Sequence, residues 1–130
     1  MLHLLHHSLI TTSLLDKTIS VLKNKTNMFD YIDEDKYRLR ILNTELALWI
    51  TNNTVIIGKF ETKETGLRTV SLTVANVTDE DIDDFQAGYT ELEQVLKSMG
   101  VDRIIVDGRK GWIRKLPDYE ISSVILIKDL

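Results

Sequence analysis

The chain has 130 residues, which is long enough for one domain with a single core and too short for two comfortable ones. Hydrophobic residues make up 43% of the sequence and charged residues 28%, as in an ordinary soluble globular protein, and the net charge of −4 argues against general binding to nucleic acid or an anionic membrane. The absence of cysteine excludes disulfides, thiolate metal sites and cysteine nucleophiles, and it fits a reducing compartment.

The first residues, MLHLLHHSLITTSLLDK, do not have the pattern of an export signal. They lack the Lys or Arg that opens such a signal, three histidines interrupt their apolar residues, and no small-residue cleavage site follows. No stretch of the chain approaches the roughly 20 apolar residues that span a bilayer. We therefore expect a cytoplasmic protein, or a component of a particle assembled inside the cell, with no membrane partner.

Residues 1–27 are predicted to form an N-terminal helical arm that precedes a domain at residues 28–130. The arm carries three lysines and one aspartate, a net charge of +2, which leaves −6 on the remaining residues. Ser13 is a suitable N-cap for a helix that ends near Asn24. Its apolar stripe consists of Leu15, Ile19 and Leu22. Because isolated helices of this length are marginal in water, the stripe needs a partner, which is either this protein's own sheet or another subunit.

Three histidines in the arm, His3, His6 and His7, raise the question of a metal site. Two of them have the i, i+4 spacing that places metal ligands on one face of a helix. No carboxylate and no further histidine lies near them in the sequence. We predict no metal site.

Alternating apolar and polar residues predict a run of antiparallel strands from about residue 36 to 76. The stretch KYRLRIL at 36–42 is typical of a half-buried strand with a basic outer face. The stretches LALWI and TVIIGKFET flank Asn52 and Asn53, which suit a tight hairpin turn because asparagine tolerates positive φ. A second turn at KETG leads into the strand LRTVSLTVAN.

The stretch NVTDEDIDDFQAGY begins a long amphipathic helix. Thr78 is a natural N-cap, and the helix dipole favours the three carboxylates that follow it in the first turn, Asp79, Glu80 and Asp81. Apolar residues recur at spacings of three and four: Ile82, Phe85, Tyr89, Leu92, Leu96 and Met99. Gly100 is predicted to end the helix as its C′ residue.

After this helix, DRIIVDG is predicted to be a short buried strand, RKGWIRKL a short helical segment stopped by Pro117, and EISSVILIKDL a final strand. A strand, a long helix and a buried strand in succession form a βαβ unit, so the strands on either side of the long helix should be parallel. The predicted fold class is α+β, with a mixed antiparallel and parallel sheet packed with helices.

This order of elements resembles the GNAT acyltransferase superfamily. The ending MGVDRIIVDGRKGWIRKLPDYEISSVILIKDL is similar to the family's tail, in which a helix ends in Gly, a strand follows, and a short helix precedes a Gly-Phe-like pair and a closing strand. The resemblance covers roughly residues 45–130 and is strongest to GNAT-like proteins of tailed bacteriophages, in which a GRxGW stretch lies at this place. It implies a GNAT-like sheet and, by analogy with the phage proteins, association with a virion.

The resemblance also implies where acetyl-CoA would bind in an enzyme of this family. Its pyrophosphate would lie on backbone N–H groups at the start of the long helix, in a glycine-rich turn. The corresponding stretch here, VANVTDEDIDDF, has no glycine and no arginine, and it is rich in carboxylates: Asp79, Glu80, Asp81, Asp83 and Asp84. Two unit charges 4 Å apart repel by about 4 kcal/mol at an effective dielectric constant near 20, and several carboxylates would share in that repulsion. We predict that no cofactor binds.

An alternative registration of the same stretch keeps the cofactor. A shift of register would bring Gly88 of QAGY near the turn, and Val74, Asn76 and Thr78 would complete the contacts with acetyl-CoA.

The general acid of the family is a tyrosine on the short helix, some five residues before the Gly-Phe pair. If Asp118 and Tyr119 take the place of that pair, the corresponding position is Arg114, and no tyrosine lies between Arg103 and Asp118. We therefore assign no catalytic residue.

A basic cluster surrounds a tryptophan shortly before Pro117, and its members are Arg109, Lys110, Trp112, Arg114 and Lys115. Such a cluster can bind single-stranded nucleic acid by phosphate contact and stacking, but we favour a core tryptophan flanked by solvated charges. The basic cluster and the carboxylates of residues 79–84 would also let copies of the chain pair head to tail. The carboxylates have a plainer explanation as well, a helix start matched to the dipole.

The sequence thus predicts a non-catalytic GNAT-like domain that acts as an assembly or protein-interaction module, with a virion as its expected location on the phage analogy. A protein partner or self-association is expected, and no nucleic acid. The alternative is a divergent acetyl-CoA-dependent N-acyltransferase.

Overall fold

The computed structural model describes residues 3–4, 9–51, 54–77, 82–106, 116, 118–120, 122, 126 and 128–130. Within these residues, five strands form one sheet in the order of the sequence: β1 (His3–Leu4), β2 (Ala47–Thr51), β3 (Thr54–Thr62), β4 (Arg68–Ala75) and β5 (Arg103–Val106). The same described part of the chain has three α-helices: α1 (Thr12–Lys25), α2 (Glu34–Leu42) and α3 (Ile82–Ser98). The predicted α+β class with a mixed sheet is confirmed, since β1 to β4 pair antiparallel and β4 pairs parallel with β5.

Helix α1 confirms the predicted N-terminal helix, but it begins two residues earlier than predicted. Thr11, rather than Ser13, is the N-cap, because its Oγ1 accepts a hydrogen bond of 3.1 Å from the N–H of Leu14. The predicted stripe is buried, and it packs in one cluster with Val55 and Ile57 of β3. Of the two partners considered for this stripe, the chain's own sheet is the one on which it packs.

Helix α2 corrects the strand that was predicted at residues 36–42. Asp33 caps the helix by accepting a 2.9 Å hydrogen bond from the N–H of Lys36, and acidic residues occupy the first turn. Tyr37 and Ile41, four residues apart, are buried, whereas Leu39 is 57% exposed. In seven residues an apolar pattern can fit both a two-residue and a 3.6-residue period, so the alternation was misleading; the Asp33 cap and the contacts with α1 both favour the helix.

Two ion pairs hold α1 against α2. The guanidinium Nη1 of Arg38 lies 2.5 Å from Oδ1 of Asp16, and Lys23 pairs with Glu34. These contacts, together with the shared core cluster, place α1 and α2 side by side on one face of the sheet.

The predicted hairpin of β2 and β3 is confirmed by its register, in which Trp49 lies opposite Ile56 and Thr51 opposite Thr54. The asparagines predicted for its turn lie outside the described residues. The turn between β3 and β4 is closed by the N–H of Lys63, which donates to the carbonyl of Leu67 at 2.8 Å.

Helix α3 and the parallel pairing of β4 with β5 confirm the predicted βαβ unit. Gly100 has φ +87°. Its N–H donates to the carbonyl of Lys97 at 3.0 Å, and the N–H of Val101 donates to that of Leu96 at 3.1 Å. This is the Schellman pattern, so the predicted role of Gly100 is confirmed.

The sheet lies between two hydrophobic clusters, one on each face. Side chains alternate along β3, so that Val55 and Ile57 contact α1 and α2 while Ile56 contacts α3. The cluster beneath α3 also includes Leu116, which is 6% exposed. The other residues of the predicted short helix, and most of the predicted final strand, lie outside the described residues. Within the described part of the chain, no helix has the length and apolar character needed to cross a membrane.

Candidate functional site

The start of α3 is the candidate site that the sequence singled out. Asp83 and Asp84 lie in the first described turn of the helix, and both are exposed. The N-terminal end of a helix carries a partial positive charge that can bind an anionic ligand, and these carboxylates add negative charge near that end. The predicted N-cap and the three carboxylates after it, residues 78–81, lie outside the described residues.

Negative charge extends along α3 beyond its first turn. From Thr69 to Leu96 the sequence contains seven carboxylates and no lysine or arginine. Glu91 is exposed and Glu93 is partly buried, and Lys97 in the last turn is the one basic residue of the helix. The solvent side of α3 is therefore acidic from its first described turn to Glu91, and beyond Glu91 it also carries exposed Val95 and Lys97.

The residues considered for cofactor contacts lie in two different environments. Val74 is 7% exposed in the core beneath α3, and Asn76, directly after β4, has φ +67° and accepts a hydrogen bond of 3.3 Å on its carbonyl from Oγ1 of Thr54. Gly88 lies in the second turn of α3 on its buried side. Backbone N–H groups at that depth in a helix are used by the helix itself. Thr78 is among the residues that the structure does not describe.

A tyrosine pair that sequence reasoning missed joins α3 to the C-terminal segment. The hydroxyls of Tyr89 and Tyr119 lie 3.0 Å apart, and the Tyr119 hydroxyl donates to Oε2 of Glu93 at 3.2 Å. Since Tyr119 donates to Glu93, the Tyr89 hydroxyl is the donor within the pair. The two rings meet edge to face with centroids 6.1 Å apart.

Burial governs the acidity of both tyrosines. Burial raises the pKa of Tyr119 to about 12. The hydrogen bond from Tyr89 lowers this pKa, whereas the negative charge of Glu93 raises it further. Burial also raises the pKa of Tyr89 well above its usual range, and the hydrogen bond to Tyr119 acts in the same direction. Both hydroxyls therefore stay protonated at neutral pH. The Tyr89–Tyr119 contact joins residues thirty positions apart, so no local sequence signal could have revealed it.

The basic cluster of residues 109–115 lies outside the described residues, so its predicted pairing with the acidic residues stays a prediction. The described residues contain no group of three side chains able to hold a metal ion.

A small cavity of about 120 Å³ lies at the other end of α3, between Phe60, Arg68 and Val101. Glu61, which also lines it, is paired with Lys63 at 3.1 Å. The hydrogen bond from Lys63 lowers the pKa of this carboxyl. The cavity is far too small for a coenzyme, and its acidic group is already neutralised by a lysine.

Comparison with solved structures identifies the fold. An aminoglycoside acetyltransferase, meta-AAC0020 from an uncultured soil metagenomic sample, solved with trehalose, matches 100% of this chain and 95% of its own, with a TM-score of 0.69 and 10% identity. The chain has a GNAT-like fold. Other solved structures agree with this GNAT-like assignment. A predicted acetyltransferase from Clostridium acetobutylicum, solved with acetyl-CoA, matches 98% of this chain and 95% of its own with a TM-score of 0.59 and 14% identity.

Glucosamine-6-phosphate N-acetyltransferase from Arabidopsis thaliana matches 99% of the GNAT-like chain and 97% of its own, with a TM-score of 0.58 and 14% identity. No family model and no curated protein matches the sequence. At these identities the likeness shows the fold alone. It extends over the whole chain, including α1 and α2, whereas the resemblance seen in the sequence spans roughly residues 45–130.

Proposed function

We propose that this GNAT-like protein does not use acetyl-CoA and acts as a protein-interaction module. The observation that carries the proposal is the negative charge at the start of α3. Asp83 and Asp84 are exposed in its first described turn, three further carboxylates precede them at residues 79–81, and the sequence has no glycine, lysine or arginine between Thr69 and Ala87.

Electrostatics argue against a pyrophosphate at this place. Each pair of unit charges about 4 Å apart costs about 4 kcal/mol at an effective dielectric constant near 20. Salt and the exposure of these side chains reduce that figure, but several carboxylates contribute, and the sequence has no lysine or arginine from Thr69 to Leu96. The geometry of α3 also supports the proposal, because Gly88 lies inside the helix rather than in a turn before it.

An acidic helix surface is well suited to binding a basic protein surface. Charges at the rim of an interface steer association and select partners of opposite sign. Location in a virion stays a prediction of the phage resemblance, and no comparison supports it.

The second candidate is a divergent acetyl-CoA-dependent N-acyltransferase. The similarity to acetyltransferases over nearly the full length of both chains favours it. Its cofactor contacts would have to come from residues other than a glycine-rich turn before α3.

Thermal unfolding with and without millimolar acetyl-CoA separates the two candidates. A ligand present at about 100 times its Kd stabilises the fold by about 2.7 kcal/mol, which raises the Tm by several degrees. The proposal predicts no change in Tm beyond that caused by the same concentration of pyrophosphate, a control for general anion effects. A specific rise with acetyl-CoA would show that the coenzyme binds, which would overturn the proposal and favour the second candidate.

A further inference from the structure

The outer surface of α2 combines exposed apolar and basic side chains. Leu39 is 57% exposed and Leu42 is 39% exposed. Lys36 and Arg40, which are three residues before and one after Leu39, are also exposed, and neither forms an ion pair within the described part of the chain. We call these four residues the α2 face. Asp35, four residues before Leu39, lies in the same row as Leu39 and Leu42, and it offsets one of the two positive charges of this surface.

A stripe on α3 has the complementary character. Glu91, Val95 and Met99 follow one another at intervals of four residues, so they lie in one row that runs along α3 to the residue after its end, where the N–H of Met99 donates to the carbonyl of Val95 at 3.0 Å. Val95 is 48% exposed, Met99 is 47% exposed, and Glu91 is exposed. We call these three residues the α3 stripe. Asp84, two turns before Glu91, extends its negative charge toward the helix start.

The two surfaces are of comparable length, and in each a charged residue precedes the apolar residues along the helix. From Lys36 to Leu42 the α2 face is about 9 Å long, and from Glu91 to Met99 the α3 stripe is about 12 Å long. Each begins with a charged residue, Lys36 or Glu91, and ends with an apolar one, Leu42 or Met99, and the second cation of the α2 face, Arg40, lies between its two leucines. Two such helices side by side and parallel would therefore bring opposite charges together at one end and apolar side chains together at the other.

From this complementarity we infer that the α2 face of one copy docks on the α3 stripe of a second copy. In that contact Lys36 lies against Glu91, and Leu39 and Leu42 pack on Val95 and Met99. Both surfaces belong to the same chain but lie on opposite faces of the sheet, so the contact is heterologous and continues into a ring or an open chain. This inference rests on the proposed role in protein association and names the partner.

Two variants, each blocked on one surface, test the contact. Leu39→Asp places a carboxylate against Val95 and Glu91, and Val95→Arg places a cation against Leu39 and Lys36. Each replaces an exposed side chain, so circular dichroism should show an intact fold. Ser20→Asp on α1 and Thr90→Arg on the other side of α3 introduce the same charges at exposed positions outside the contact and serve as matched controls.

Analytical ultracentrifugation over a range of concentrations at low salt gives the readout. The wild type and both controls should show a mass that rises with concentration, whereas each blocked variant should stay monomeric. An equal mixture of the two blocked variants should form a dimer of about twice the monomer mass, because each still has one intact surface. An isologous contact, in which one of the two surfaces pairs with the same surface on the second copy, does not predict that the mixture forms this dimer.

The inference is overturned if the wild type stays monomeric, or if it associates and the mixture of blocked variants does not. If the wild type is monomeric and also fails to bind acetyl-CoA, self-association is excluded, but the proposed role in protein interaction still stands with a different protein as the partner. Acetyl-CoA binding would instead remove the proposed function, so the two failures are distinguishable.

Discussion

Replacing Tyr119 by phenylalanine should destabilise the protein mainly because Tyr89 loses its hydrogen-bond acceptor. The Tyr89 hydroxyl is bonded to the Tyr119 hydroxyl at 3.0 Å, and Tyr89 is 1% exposed. Tyr119→Phe removes this acceptor and leaves a buried hydroxyl without its described partner, which costs about 1–3 kcal/mol. Glu93 lies one turn after Tyr89 on α3, and a rotation of its carboxylate toward Tyr89 would give the low end of that range.

The matched variants are Tyr89→Phe and the double variant. Tyr89→Phe removes the buried hydroxyl itself, and Tyr119 keeps its 3.2 Å hydrogen bond to Glu93, so its cost should be about 0.5–1.5 kcal/mol. The double variant has no buried hydroxyl left to satisfy, so it should be more stable than Tyr119→Phe alone. Urea unfolding of the wild type and the three variants, followed by circular dichroism, gives the coupling free energy. Additive costs, or a Tyr119→Phe variant as stable as the wild type, would refute the hydrogen-bonded pair.

The same variants should change how stability depends on pH. The pKa of Tyr119 is raised from 10.0 to about 12 by burial, so the folded state holds its proton at pH values where the unfolded state has lost it. Because the folded state binds this proton more tightly than the unfolded state, the contribution of Tyr119 to the free energy of unfolding is fully present below pH 10.0 and is lost as the pH rises toward 12. The wild type should therefore lose stability more steeply in this window than the double variant. Tyr37, whose pKa burial also raises, contributes equally to both proteins.

Two further predictions concern the ends of the elements and the place of α1. Gly66→Ala and Gly100→Ala both force a side chain into positive φ, at +88° and +87°, and each should lower the free energy of unfolding by about 1–2 kcal/mol, as measured by thermal unfolding. Gly100→Ala should cost slightly more, because its Cβ would overlap the Arg68 guanidinium, whereas the space around Gly66 is open. Leu22→Ala should cost about 2–5 kcal/mol and preserve a single unfolding transition, because Leu22 is fully buried in the cluster that includes Val55; a separate early transition for α1 would contradict that packing.

The long helix and the hairpin could be predicted because their signals are redundant. In α3 an apolar period of 3.6 extends over five turns and ends at Gly100, whose αL conformation the sequence also predicts. Met99 was the exception on the apolar face, since at 47% exposure it lies at the margin of the core. The order of elements then constrained β4 and β5 to be parallel.

Helix α2 could not be predicted from its period. Tyr37 and Ile41 are apolar and four residues apart, which fits one face of a helix, but Leu39 between them also fits one face of a strand. The helical structure of this segment depends on the cap at Asp33 and on contacts with α1, such as the ion pair of Arg38 with Asp16. Those contacts become evident only when the two helices lie together.

The acidic start of α3 was visible in the sequence because it depends on composition. The tyrosine pair was not, since Tyr89 looked like an ordinary core residue and Tyr119 like the aromatic residue that follows a short helix. Hydrogen bonding between them is a property of the folded chain alone.

Calorimetric titration of acetyl-CoA into the wild type, and into a variant with Asp79, Asp81, Asp83 and Asp84 replaced by asparagine, tests the central claim most directly. If negative charge at the start of α3 is what excludes the coenzyme, the wild type should show no saturable binding, and any affinity should appear first in the neutralised variant. Saturable binding to the wild type would contradict the account, and most directly if neutralisation left the affinity unchanged.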